Sequence, residues 1–156
     1  MRGRAPIALG IVLLAGLLAG LVAACQKPLP TITVYGEGKS VIVDAAAYQF
    51  SGGPTRRTIS DYAQAPTISV PAGTVLLIDV PRTVAEDTWV VAAFRLDQAG
   101  KSTPIEGAGS LEPLHDRHST RVSTSPAGLG DYYLQVAQLR GTTQAGGWVI
   151  KVRTKS

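Results

Sequence analysis

From Thr31 to the C-terminus, apolar residues recur at every second position in short runs, and Gly, Pro, Asp or Ser breaks each run. Period two sends alternate side chains to opposite faces, so such runs bury one face as strands and cannot sit as amphipathic helices. TITVY (31–35) sets Ile32 and Val34 on one face, Gly36-Glu37-Gly38 is a turn, and KSVIV (39–43) is its hairpin partner. TISV (67–70) is a short strand closed by Pro71-Ala72-Gly73. TVLLIDV (74–80) places Leu76, Ile78 and Val80 together. TWVVAAFRLD (88–97) is apolar on both faces up to Arg95, as a central strand is. STRVSTS (119–125) reads as a polar edge strand. DYYLQVAQL (131–139) aligns Tyr132, Leu134 and Val136. WVIKVRT (148–154) turns Trp148, Ile150 and Val152 inward, with Lys151 and Arg153 outward. DAAAYQ (44–49) either extends the second strand or forms one helical turn.

About eight short strands with turn signals between them predict an all-β fold, an antiparallel sandwich. There is no βαβ alternation, P-loop, GxGxxG or internal repeat, which argues against a nucleotide-binding α/β sheet. The strand order predicts an immunoglobulin-like sandwich, preceded by an N-terminal apolar signal helix. Trp89 would open the third core strand. GLGDYYLQVAQ (128–138) is similar to the strand that carries a tyrosine corner, with Tyr132 or Tyr133 at the corner. Residues 134–139 and 148–152 would close the sheet as a hairpin. Trp89 and Trp148 are expected in the core. With a single Cys, no internal disulfide backs the Trp, so this is not an antibody-type domain.

The first 25 residues are a different kind of chain. Arg2 and Arg4 form a basic start, residues 5–24 carry no charge, and Ala23-Ala24-Cys25 ends the stretch. A basic start, an apolar stretch and small residues before a cut site make a secretory signal. Val22-Ala23-Ala24-Cys25 resembles the bacterial lipobox, and Cys25 is the only thiol of the 156-residue chain. The resemblance implies diacylglyceryl transfer to Cys25 and cleavage after Ala24. The expected organisation is therefore a lipoprotein signal peptide over 1–24, a lipidated Cys and short tether over 25–30, and the β-sandwich domain over 31–156. Five tether residues, 26–30, reach at most about 18 Å, and Pro28 and Pro30 stiffen them. Removing 1–24 leaves 13 Lys and Arg facing 11 Asp and Glu. A nearly neutral domain of this kind gives a nucleic-acid partner little electrostatic support.

The run VYGEGKSV (34–41), then Tyr48, then DTWVVAAFR (87–95) and an aromatic-led strand before the C-terminus resemble a family of small actinobacterial secreted lipoproteins classed as a domain of unknown function. The resemblance spans most of residues 28–153. It implies a location and a fold, and it carries over no catalytic residues.

Ionisable chemistry concentrates in His115-Asp116-Arg117-His118, which holds both histidines. Two imidazoles and a carboxylate are a metal-ligand set, but Arg117 between them repels a cation and the neighbours read as a loop. GAGSL (107–111) is not a G-x-S-x-G elbow, so a serine hydrolase is not indicated. Arg56, Arg57 and Tyr62, in the polar stretch 51–66, could meet anionic headgroups or a glycan. Loop 81–87 joins two core strands at one end of the sandwich, where such folds bind partners. The expectation is a membrane-anchored, extracytoplasmic, non-catalytic binding or accessory module of the cell envelope, without cofactor and held by a lipid anchor at Cys25. The alternative is a small-ligand or metal-binding lipoprotein using His115 and His118.

Overall fold

The computed structural model describes residues 27–50, 53–57, 61–110 and 112–156. Residues 1–26, with the expected signal peptide and Cys25, lie outside these residues.

β1 (Thr31–Gly36) and β2 (Lys39–Asp44) form the first hairpin, with Gly36 opposite Lys39. The two loop residues, Glu37 and Gly38, both have positive φ, 50° and 70°. That is the tight turn whose twist matches two antiparallel strands. Ile32, Val34 and Val43 are buried, while Ile42, on the opposite face, is 68% exposed.

Asp44 ends β2, and residues 45–49 neither prolong it nor coil into a helical turn. The chain turns inward at the fully buried Ala45, and the Ala46 N–H donates to the Gly147 carbonyl at 2.8 Å. β3 (Ala47–Gln49) then joins a different sheet, and β4 (Thr55–Arg57) follows it. A single 3-10 turn covers Tyr62–Gln64. β5 (Thr67–Pro71), β6 (Val75–Asp79) and β7 (Thr88–Leu96) come next, with one helical turn, α1 (Arg82–Ala85), between the last two. β8 (Ser102–Pro104), β9 (Ser119–Ser123), β10 (Gly130–Arg140) and β11 (Thr143–Lys155) complete the order.

Among the described residues these strands make two sheets. The smaller runs β2-β1-β6-β9, which puts the polar β9 on an edge, as its sequence predicts. The larger runs β4-β3-β11-β10-β7-β8. β11 is long enough to use its free edge twice. Gly146 and Gly147 pair antiparallel with β3, and 151–155 pair parallel with β5. That parallel pair departs from the antiparallel expectation. The other pairings are antiparallel.

The inner faces of both sheets share one apolar cluster. It includes Ile32, Leu76 and Ile78 from the smaller sheet, and Trp89, Leu134 and Trp148 from the larger. Both indoles are fully buried, and each N–H is satisfied by a backbone carbonyl. Trp89 donates to Arg117 and Trp148 to Pro30, both at 2.9 Å. A buried indole left without an acceptor would cost on the order of 1–3 kcal/mol, so these bonds fix where residues 30 and 117 lie. Tyr132 is buried on the same side. Its hydroxyl meets no acceptor among the described residues, so the hydrogen bond of a tyrosine corner is not made. Burial pushes its pKa up to about 12. Tyr133 points to the opposite face, away from the shared core.

Candidate functional site

Residues 27–30, part of the expected short, stiff tether, are docked on the domain. Besides the Trp148 bond to Pro30, the Lys27 carbonyl accepts from Arg56 Nη1 at 3.2 Å, Lys27 Nζ stands 5.6 Å from the Phe50 ring centroid, and Leu29 packs against the core. Lys27, the first described residue, therefore lies beside β3 and β4.

The histidine segment is a strap across Trp89. Leu114 and Trp89 exchange both backbone hydrogen bonds at 2.8 Å. The Asp116 N–H donates to the Ala85 carbonyl, and the His118 carbonyl accepts from Val80 at 2.7 Å. With the backbone so engaged, His115, Asp116, Arg117 and His118 all turn their side chains to solvent. His115 Nε2 lies 3.3 Å from Asp116 Oδ2. Among the described residues no three His, Cys, Asp or Glu gather into a metal-ligand set.

Loop 81–87 holds α1 and is bolted to the sheet. The fully buried Gln138 donates through Nε2 to the Thr83 carbonyl at 2.9 Å and to Asp87 Oδ2 at 2.6 Å. Arg140 Nε reaches the same Asp87 oxygen at 2.9 Å, and its Nη1 reaches the Gln49 carbonyl at 3.0 Å. The Asp87 carboxylate raises the Arg140 pKa. A loop tied by this many charge-assisted bonds is a rigid corner.

The polar stretch 51–66 is not simply a loop. Arg56 and Arg57 lie on β4, paired with Tyr48 and Ala47. Alternation splits them: half-buried Arg56 holds the Lys27 carbonyl, and exposed Arg57 lines a groove on the outer face of the larger sheet. The groove has a volume of about 500 Å³. Asp61, Tyr62, Gln135 and Gln144 share its lining with Arg57, over a floor of Ala47 and Gly147. Asp61 Oδ1 accepts from the Ala63 N–H at 2.9 Å, which caps the 3-10 turn and presents Tyr62. The Tyr62 ring lies 5.4 Å from Phe94 and 5.7 Å from Tyr133, and those two stack at 5.6 Å. Sequence reading picked out Arg57 and Tyr62 but not Asp61, Gln135 or Gln144. The alternation that buries Leu134 and Val136 already sends Gln135 outward. Nothing local ties it to residues 61 and 144.

Compared with protein-family models, curated proteins and solved structures, the chain matches none.

Proposed function

We propose that this protein is a lipoprotein, anchored by acyl chains on Cys25 to the extracytoplasmic face of a membrane, whose β-sandwich is a non-catalytic binding or accessory module of the cell envelope. One observation carries the reading. The chain's only thiol directly follows Ala23-Ala24, at the end of an uncharged run that begins after Arg2 and Arg4. The docked residues 27–30 support it, because a domain fastened at Lys27 leaves only Gln26 between itself and Cys25. A bilayer holds one acyl chain weakly and two stably.

We read the architecture as immunoglobulin-like. β1-β6-β9 corresponds to the A-B-E order, and β11-β10-β7-β8 to G-F-C-C′. Trp89 on β7 takes the place of the core Trp of strand C. β2, β3 and β4 are then an insertion between β1 and β5. Two surface features support binding: a groove of mixed polar and apolar lining, and a hydrogen-bonded corner at 81–87.

The test is Cys25→Ser expressed beside the wild type in a bacterial host fed a fatty-acid analogue. Wild type should take the label, and the variant should not. A wild type without label would sink the anchor.

A further inference from the structure

The groove on the larger sheet has three kinds of wall. Its floor is short: a Cβ at Gly147 would stand 2.7 Å from Gln144 Nε2, so the bare glycine makes the space that this amide occupies. Its sides are planar polar groups, the Gln135 and Gln144 amides, the Arg57 guanidinium and the Asp61 carboxylate. Its aromatic end is Tyr62, 39% exposed and braced by Phe94 and Tyr133. Among the described residues Arg57 has no ion-pair partner.

We propose that this groove binds a neutral oligosaccharide. A sugar ring has an apolar C–H face and a rim of hydroxyls. The braced Tyr62 ring suits the face, and paired donors and acceptors on amide, guanidinium and carboxylate suit adjacent hydroxyls. Charge decides against an anionic ligand: what Arg57 would gain from a phosphate, Asp61 in the same groove opposes. More of the lining is apolar than polar, which suits C–H faces, but a wholly apolar ligand would strip water from the four polar groups and replace none of their hydrogen bonds. The groove is half open to solvent, which leaves room for a sugar chain to continue beyond it. It holds one carboxylate among its lining, where glycoside hydrolysis uses two, so the chemistry is retention of the sugar and not cleavage. This inference deepens the binding-module reading and rests on it for its ligand, an envelope glycan. Lipid labelling and sugar titration read the anchor and the groove separately, so either can fail alone.

The experiment uses the full chain, purified from membranes in a detergent without a sugar headgroup. Neutral tetra- to hexasaccharides of glucose, mannose, galactose, arabinose or N-acetylglucosamine are titrated by calorimetry. At least one should bind with a Kd on the order of 0.1–1 mM. Arg57→Ala and Tyr62→Ala should each weaken it about tenfold or more, and Tyr62→Phe should stay within about threefold. Thermal melts establish that the variants are folded, and Arg57→Ala decides if Tyr62→Ala is not. No binding across the panel overturns the proposal, as does binding indifferent to Arg57→Ala. Binding to phosphatidylglycerol vesicles that Arg57→Ala abolishes, with no sugar bound, assigns this face to the membrane and overturns it too.

Discussion

Asp131, near the start of β10, receives three charge-assisted bonds. Arg153 donates through Nε and Nη2 at 2.8 Å each, and Lys151 Nζ lies at 2.7 Å. The Arg153 hydrogen bonds first, and Lys151 second, hold the Asp131 carboxyl well below the usual carboxylate range. A carboxyl whose pKa is depressed on folding stabilises the fold above its unfolded value, 3.8, and loses that contribution as pH falls through the folded value. Asp131→Asn should therefore melt lower than wild type at pH 7. The gap should be only about 0.5–1 kcal/mol, because the pair is partly exposed and screened. It should narrow steadily below about pH 4, and melts at pH 7, 4 and 3 check this. At this scale the outward placement of Lys151 and Arg153 was legible from alternation. Their shared partner was not, because only the register Asp131 opposite Arg153 brings a residue 22 positions away alongside.

Local signals carried the first hairpin and β5, and non-local ones hid β3, β4 and the parallel pairing of β5. Gly36-Glu37-Gly38 between two alternating runs announces a turn, and its strain falls on Glu37, the non-Gly residue at φ 50°. Asn tolerates that region better. Glu37→Asn should stabilise the domain by about 0.5 kcal/mol in chemical denaturation. The inward assignments of Ile78 and Leu134 hold, since both are fully buried. Leu134→Ala should cost on the order of 2–5 kcal/mol. A loss below about 0.5 kcal/mol would contradict its place at the centre of the cluster. Three-residue strands such as β3 and β4 have too little periodicity to read. Their existence depends on the β11 edge about a hundred residues later. α1 is a single turn after Pro81, tied down by Gln138 and Asp87 more than by helix propensity. The groove is invisible in the sequence for the same reason, since β3, β4, the 3-10 turn, β10 and β11 each supply part of it.

At the scale of the whole molecule, the buried Trp148 joins the fold to the membrane reading. Its N–H needs an acceptor, finds it on Pro30, and so pins the segment that leads back to Cys25. The proposed lipidation makes Cys25 the N-terminus of the mature protein. Intact mass of the wild-type protein, extracted from the membrane fraction of a bacterial host, tests this most directly. The expected result is a chain that begins at Cys25 and carries the added mass of at least two acyl chains. A protein that keeps residues 1–24, or a mature chain whose Cys25 is unmodified, would contradict it.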